Sequence, residues 1–406
     1  MKKKLLAALL VAVISMMSLS SCVLPSLEVG DLGNTPDNTT INLQGGSIYE
    51  EINITSTADK NLLAASKALL SSVSVACTFE KNESGSIKKT TSYGSGVIYS
   101  LDKNKGDAYI ITNYHVVYDS LAITKGGISD EIYVNLYGME RPTASDRNYA
   151  IKAKYVGGAI SYDIAVLKVT GSTVLMRSNA RAVTVANSDD VTILDTAIAI
   201  GNPGAGGISA TVGHINVDSE EILLQIGSTP VEIRVMRTDA AVNSGNSGGG
   251  LFNDSGELIG IVNAKEADDS VDNIGYAIPS NVAKAIADNA IFYSDGTVKR
   301  CLMGVTVGVD VYSTDYDVET GKIHKRERVI IISIEKSSQI KGLLSVGDRI
   351  NSITVDGKTT EVTRVHHVID AMLYARAESR VVINVTRGGI EKDIEFTATA
   401  NMLKNC

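Results

Sequence analysis

Short apolar runs separated by polar turns dominate the chain between residues 72 and 278. Clusters of Gly, Asn, Asp and Ser lie between the runs, which is the pattern of strands joined by tight turns. Many short strands of this kind are typical of an all-β barrel or sandwich. The strands predicted here are 73–79, 96–99, 108–112, 132–136, 164–169, 197–200, 223–226 and 258–262.

Helical spacing flanks this strand-rich region on both sides. Apolar residues predict a short helix over 60–71 and a second helix over 280–290, with Ser280 as its N-cap. From about residue 300 the chain has a separate order of strands around one helix, predicted over 366–377, which is typical of a small α+β domain. The strands predicted there are 305–311, 329–334, 349–355, 380–386 and 394–398.

The N-terminus has the order of regions expected of an export signal. Three lysines precede an apolar run, 5–14, that is too short to span a membrane. Leu19-Ser20-Ser21-Cys22 then resembles a bacterial lipobox, which implies a signal peptide over 1–21 and a lipid on Cys22. The alternative is an ordinary signal peptide with an incidental cysteine. The polar segment 22–57 is interpreted as a flexible tether.

The composition fits a β-rich chain with a sizeable core. Of the 406 residues, 44% are hydrophobic, 36 are Gly and 6 are Pro. The formal net charge is -8 and the basic residues are scattered, so we predict no nucleic-acid partner.

The remaining cysteines are Cys77, Cys301 and Cys406, and none belongs to a C-x-x-C pair. We therefore predict no metal site, and no cofactor either. Cys77 lies in an apolar run and is interpreted as a buried small hydrophobe. The sequence leaves a bridge between Cys301 and Cys406 open.

Three segments together carry the parts of a nucleophilic serine site. A serine hydroxyl needs a base, a group that holds the base, and donors for the oxyanion that forms. His115 ends an apolar strand, Asp163 opens one, and Ser247 lies between glycines that let the backbone approach a substrate carbonyl. Alone, these are a packed His, a strand-capping Asp and a Gly/Ser turn. Together they predict Ser247 as nucleophile, His115 as base and Asp163 as orienting acid.

The segments Thr112–Val116, Asp163–Lys168 and Thr238–Gly249 resemble the HtrA/Deg branch of trypsin-like serine proteases. The resemblance implies a mainly β fold, with two six-stranded antiparallel β-barrels in a protease domain over 58–294 and the triad in the cleft between them. It also implies an oxyanion hole formed by the N–H groups of Gly245 and Ser247. Further matches are Gly94-Ser95-Gly96, Ala199–Pro203, Gly256–Ile261 and Gly275–Ser280.

The resemblance also locates the residues expected to set specificity. The wall of the specificity pocket is expected from Ile261, Val262, Asn263 and Ala264, followed by a lining loop over 265–273. Because no Asp lies at the base of this wall, a preference for small or aliphatic side chains before the cleaved bond is expected.

Three departures from the family pattern bear on activation. Ser244 and Gly250 stand where family members often have Pro, and Gly204 stands where they often have Phe. The hypothesis is a more flexible activation region that favours a resting state with a collapsed oxyanion hole.

Ser247 also formally matches the G-x-S-x-G elbow of α/β-hydrolases. That elbow runs from a strand into a helix, whereas Gly248, Gly249 and Gly250 follow the serine here and would break a helix. We therefore favour the trypsin-like interpretation.

The segment Leu302-Met303-Gly304-Val305, with Gly347-Asp348 further on, resembles a PDZ domain over 298–404. The resemblance implies a carboxylate-binding loop at 301–304, an accepting strand edge at 304–307 and an opposing helix at 366–377. Such a domain binds C-terminal peptides as an added strand. The alternative is a small α+β domain whose groove is unused.

Taken together, the sequence predicts a serine endopeptidase that acts on unfolded or damaged exported proteins. It would be lipid-anchored and extracytoplasmic in a bacterial cell envelope, and the family resemblance allows a homotrimer. The alternative is a PDZ-based scaffold or chaperone of the envelope with minor proteolysis.

Overall fold

The computed structural model describes residues 57–83, 85–139, 150–263 and 274–406. Strand dominates this part of the chain, which confirms the prediction of a mainly β fold. The first six strands are β1 Ser72–Glu83, β2 Ser86–Asp102, β3 Asp107–Thr112, β4 Glu131–Leu136, β5 Ile151–Ala159 and β6 Ile164–Val169. They form a closed barrel in the order β1-β2-β3-β6-β5-β4, because β1 also pairs with β4.

The next six strands form a second closed barrel. They are β7 Thr196–Gly201, β8 Ser209–Ile226, β9 Thr229–Thr238, β10 Gly250–Phe252, β11 Leu258–Asn263 and β12 Gly275–Pro279. Their order is β10-β11-β12-β9-β8-β7, and the pairing of β10 with β7 closes the barrel.

Strand β6 shows why several strands read as unbroken apolar runs. Ala165 and Leu167 pack inside the first barrel. Ile164 and Val166 face outward and join a cluster that includes Ile261 of the second barrel. Since both faces of the strand are covered, the polar alternation of a half-exposed strand is absent. The two barrels therefore share one apolar interface.

Five helices accompany the strands in the described part of the chain: α1 Thr57–Leu69, α2 Tyr114–Val117, α3 Thr173–Arg177, α4 Ser280–Tyr293 and α5 His366–Met372. The helices predicted over 60–71 and 280–290 are present as α1 and α4. Ser280 is not the N-cap of α4: the cap is Pro279, and the Ser280 hydroxyl donates to the Ala186 carbonyl instead (2.8 Å).

The helix predicted over 366–377 is shorter than expected. It ends at Met372, and Tyr374 N–H bonds the Ala371 carbonyl in a tighter turn. The guanidinium of Arg376 donates to the Leu373 carbonyl at 2.7 Å, which satisfies a carbonyl freed at the helix end.

The C-terminal region forms its own sheet and core. Its strands are β13 Lys299–Cys301, β14 Val305–Tyr316, β15 Ile323–Ile334, β16 Arg349–Val355, β17 Lys358–Glu361, β18 Arg380–Arg387, β19 Ile390–Thr397 and β20 Leu403–Asn405. The main sheet has the order β14-β15-β16-β18-β19, with β17 paired to β16, and β13 pairs with β20. Val368, Ala371 and Met372 of α5 pack on this sheet.

Polar contacts join this C-terminal region to the second barrel and its flanking helix. Arg234 of β9 forms an ion pair with Asp370 of α5. The Asn289 side chain of α4 donates to the Leu373 carbonyl at 3.0 Å. Neither Arg234 nor Asp370 is more than 13% exposed, so removing one partner would leave the other charge buried without its counter-ion.

The three described cysteines are free thiols. Cys77 is fully buried as predicted, and burial raises the pKa of its thiol to about 12. The pairing of β13 with β20 sets Cys301 opposite Leu403, whereas Cys406 N–H bonds the Val298 carbonyl. Three residues of strand separate the two thiols, about 10 Å, which is too far for a disulfide.

The predicted signal peptide, Cys22 and nearly all of the predicted tether lie outside the described residues. No helix in the described ranges combines the length and apolar character needed to cross a membrane.

Candidate active site

His115 and Asp163 meet at the edge of the first barrel. His115 lies on the single turn α2, directly after β3. Asp163 follows the turn 160–162 with a left-handed φ of +50°, a conformation that Asp tolerates better than most residues. Its carboxylate oxygen Oδ1 accepts the backbone N–H of His115 at 2.9 Å, and Oδ2 lies 2.7 Å from Nδ1 of the imidazole.

This contact fixes the chemical role of the imidazole. Because a carboxylate accepts hydrogen bonds, His115 holds its proton on Nδ1, which leaves the lone pair of Nε2 free to take a proton. The Asp163 side chain is fully buried and that of His115 is 15% exposed. The pair is therefore arranged as a base with its orienting acid.

Asn263, at the end of β11, completes the surroundings of the carboxylate. Its side-chain amide donates to Asp163 Oδ2 at 2.8 Å. The contact crosses from the second barrel to the first and gives the buried oxygen that faces His115 a further donor. Buried carboxylates need such donors to stay ionised.

Ser247 lies against the segment that carries His115. Gly94 explains the close approach: a Cβ there would lie 2.7 Å from Val116 Cγ2 and 3.1 Å from the Ser247 carbonyl. On the other side, a Cβ at Gly248 would come within 2.3 Å of the Thr112 hydroxyl. Only glycine at these two positions lets the serine loop reach the strand end before His115.

The loop before Ser247 has an open oxyanion geometry. Gly245 has φ of +98°, and the preceding Ser244 carbonyl accepts the Gly204 N–H at 2.9 Å, so it is held by the 203–205 turn. Within the described residues, neither the Gly245 N–H nor the Ser247 N–H donates a hydrogen bond. Both are free to serve an incoming oxyanion. The hypothesis of a collapsed resting loop finds no support in this geometry.

Ser95 ties the serine loop to both barrels. Its N–H donates to the Ser247 carbonyl (2.8 Å) and its hydroxyl to the Gly245 carbonyl (2.7 Å). The same hydroxyl accepts the N–H of Asn202 at 2.8 Å. Its carbonyl accepts the hydroxyl of Thr112 at 2.7 Å. In the sequence, Ser95 is recognisable only as part of the match Gly94-Ser95-Gly96, which does not reveal these contacts.

The side chains predicted for the wall of the specificity pocket are buried. Ile261 is fully buried between the barrels, and Val262 is fully buried within the second barrel. The Asn263 amide donates to Asp163. The assignment of these residues to the pocket wall stays a prediction. Ala264 and the loop 265–273 lie outside the described residues, so the expected cleavage preference stays a prediction.

The residues predicted to capture a peptide lie at an open edge of the C-terminal sheet. Leu302 is 43% exposed, Met303 is buried, and Gly304 has φ of +67°. Val305 is half-buried at the start of β14, which pairs with β15 alone in the sheet order. The outer edge of β14 is therefore free of another strand within the described chain.

Residues 94–261 match the family model of the trypsin-like peptidase domain. This range contains His115, Asp163 and Ser247, so fold, site and family model agree that the chain carries a trypsin-like peptidase domain.

Curated relatives add a similarity to HtrA and DegP proteases. The serine protease Do-like HtrA of Bacillus subtilis (strain 168) is 36% identical over 250 residues, 61% of this chain and 48% of that protein. The probable periplasmic serine endoprotease DegP-like of Chlamydia trachomatis is 31% identical over 310 residues, 75% of this chain and 54% of that protein. The periplasmic serine endoprotease DegP of Escherichia coli (strain K12) is 33% identical over 285 residues, 67% of this chain and 50% of that protein. The chain spans about half the length of these curated relatives.

Solved structures extend the similarity into the C-terminal region. The HtrA-type protease AlgW with decapeptide has a TM-score of 0.51 and 25% identity, and the match covers 85% of this chain and 98% of that chain. AlgW with tripeptide also has a TM-score of 0.51 and 25% identity, over 86% of this chain and 98% of that chain. The similarity to HtrA-type proteases read from the sequence is thereby confirmed.

Proposed function

We propose that the protein is a serine endopeptidase that cleaves unfolded or damaged exported proteins through an acyl-enzyme. The observation that carries the proposal is the 2.7 Å contact between Nδ1 of His115 and the buried Asp163 carboxylate, beside the loop of Ser247. The named relatives are serine proteases, which supports the same reaction class.

Each group has a defined part in the reaction. Nε2 of His115 takes the proton from the Ser247 hydroxyl as its oxygen attacks the substrate carbonyl, and Asp163 stabilises the imidazolium that forms. The N–H groups of Gly245 and Ser247 bind the oxyanion. The imidazolium then protonates the leaving amine, and water hydrolyses the ester on Ser247.

Cleavage of an unfolded protein by the purified full-length chain tests this function. We expect Ser247→Ala to abolish cleavage and Ser255→Ala to retain it, because Ser255 lies in an exposed turn remote from the triad. Equal cleavage by the Ser247→Ala variant would overturn the proposal. No cleavage by either protein, with binding of the unfolded substrate, would favour an envelope scaffold or chaperone.

We further propose that residues 298–404 form a PDZ-like domain that binds C-terminal peptides along β14. The free edge of β14 and the packing of Val305 and Val307 against the core that includes α5 support this. A labelled apolar peptide with a free carboxylate should bind the full-length chain, and its C-terminal amide should bind at least tenfold more weakly. Equal binding of both peptides would contradict carboxylate capture.

The location proposed for the protein is the extracytoplasmic side of a bacterial membrane, with a lipid on Cys22. Relatives named as periplasmic support export. Metabolic labelling with a radioactive fatty acid tests the anchor: label is expected on the wild type and not on Cys22→Ala. Label on both the wild type and Cys22→Ala would exclude Cys22 as the lipid site.

Assembly as a homotrimer stays a prediction, which analytical ultracentrifugation of the full-length chain can test.

A further inference from the structure

Three of the five histidines of the chain line one small cavity between the two regions. The cavity has a volume of about 50 Å³. On one side lies the turn Ser188–Asp190, which precedes the second barrel. On the other side lie His366 and His367 of α5, and His324 of β15 completes the set. None of the residues that line the cavity is assigned to catalysis.

Asp189, His366 and His367 bring potential metal-ligating atoms close together. Their ligand atoms all lie within 4.8 Å of one another. The closest defined pair is His367 Nε2 and Asp189 Oδ2, at 3.6 Å. Two ligands bound tetrahedrally to one zinc ion lie about 3.4 Å apart, given the usual zinc–nitrogen and zinc–oxygen lengths. The observed spacing fits two ligands of a shared ion better than a direct hydrogen bond.

The surrounding hydrogen bonds orient both ligands. Nδ1 of His367 accepts the Thr363 N–H at 3.2 Å and lies 2.9 Å from the Glu361 carbonyl. These contacts hold the ring with Nε2 toward Asp189. The Asn281 amide donates to Asp189 Oδ2 at 2.9 Å. A carbonyl behind the imidazole and an amide behind the carboxylate are the outer contacts that metal ligands commonly have.

The cationic side chains around the cavity are already paired. Arg234 binds Asp370, while Arg364 and Lys325 both bind Asp218, at 3.1 and 2.7 Å. Among the described residues, Asp189 forms no salt bridge with a Lys or Arg. Its carboxylate therefore faces the imidazole nitrogen of His367 directly.

We propose that Asp189, His366 and His367 bind a divalent transition-metal ion of the zinc class at the junction of the two regions. Two imidazoles and a carboxylate suit zinc and its neighbours rather than calcium or magnesium. Water, or His324, fills the fourth position. Because the ligands come from both regions, the ion cross-links the C-terminal region to the turn before the second barrel. Its binding therefore stabilises the contact between the two regions.

Zinc titration of the full-length chain tests this site. The titration uses a His115→Ala background, so that the catalytic imidazole offers no competing ligand. Binding is followed by calorimetry, and by the visible absorption of cobalt as a substitute ion. We expect one zinc ion per chain. Affinity should fall at least tenfold in Asp189→Asn, His366→Gln and His367→Gln.

Two matched variants serve as controls. Asp190→Asn changes the neighbouring exposed carboxylate, and His214→Gln removes a histidine of β8 outside the cavity. Both should bind zinc as the background protein does. Zinc should also raise the melting temperature of the controls and not that of Asp189→Asn, which changes a partly exposed side chain. Unchanged affinity in the ligand variants, or no binding by the background protein, would overturn the proposal. Because the readout is binding, the result is independent of protease activity.

Discussion

The side-chain amide of Asn263 donates to the same Asp163 oxygen that faces Nδ1 of His115, at 2.8 Å. One barrel thus supplies the acid and its imidazole, and the other supplies a donor that holds the acid in place. Docking of the two barrels is therefore part of the catalytic geometry and not only of stability.

Asn263→Ala should lower kcat/KM for an unfolded substrate by about 10-fold or more. A hydrogen bond to a charged group contributes roughly 1.5–3 kcal/mol, and its loss lets the Asp163 carboxylate turn away from the imidazole. Steady-state kinetics measure this. Asn135→Ala, which removes another buried asparagine, from β4, should leave kcat/KM within about 3-fold after correction for folded protein. Equal losses in both variants would assign the effect to general destabilisation.

Ser95→Ala should act mainly on kcat. The change frees the Gly245 carbonyl and leaves the buried Asn202 N–H without an acceptor, so the oxyanion loop loosens. The free energy of unfolding should fall by about 1–3 kcal/mol. Ser74→Ala removes another buried serine, from β1, and serves as the control. It should leave kcat and KM unchanged. If Ser95→Ala raises KM with kcat unchanged, Ser95 does not position the oxyanion loop.

Gly245→Ala should reduce kcat by at least about 100-fold, as expected for loss of an oxyanion donor. A Cβ at this position would lie 2.3 Å from the Asn202 carbonyl, in addition to the strain of φ +98°. Gly207→Ala is the matched control, because φ there is +118° and a Cβ would meet no atom within 4 Å. It shares the backbone strain without the clash and should keep most activity. Similar losses in both would mean that strain alone is responsible.

Asp348→Asn should make the chain less stable at neutral pH and less sensitive to acid. Burial alone would raise the pKa of the Asp348 carboxyl. Hydrogen bonds from Arg387 and from the Ser345 N–H have a larger effect in the opposite direction, so the pKa of Asp348 lies below its ordinary value. A lowered pKa means that this stabilisation is present above the unfolded value, about 4, and is lost as the pH falls through the folded value.

Urea unfolding at pH 7 and at pH 3 measures the effect. The variant should lose about 1–3 kcal/mol at pH 7, and the difference from wild type should narrow at pH 3. Asp310→Asn, in an exposed pair with Arg328, should lower the free energy of unfolding by less than Asp348→Asn does, because solvent screens the pair. A difference that is the same at both pH values would contradict the assignment.

The sequence predicted the elements whose pattern is local and missed those defined by distant contacts. Strand 164–169 was found because its apolar run is nearly continuous, and 349–355 because its apolar residues alternate with polar ones, whereas β5, β9 and the short β10 and β12 depend on barrel closure. The three segments of the proposed catalytic site were recognisable from their order along the chain and from the glycines on both sides of Ser247.

The role of Asn263 was missed because the sequence of β11 does not show what its side chains face in the other barrel. Only the packing of the two barrels brings the Asn263 amide to Asp163. The proposed metal ligands were missed for a related reason: Asp189 and the pair His366 and His367 are far apart in the chain and belong to no ligand motif. Packing of the two regions brings them together.

His115, Asp163 and Ser247 are proposed to act as one catalytic unit. Labelling of the full-length chain with a fluorophosphonate, followed by mass spectrometry of its peptides, reports directly on the reactivity of the serine. Label is expected on Ser247 in the wild type and not in Ser247→Ala, and labelling should slow by at least about 100-fold in His115→Ala. Label on a different residue, or equal labelling of Ser247 without His115, would contradict it.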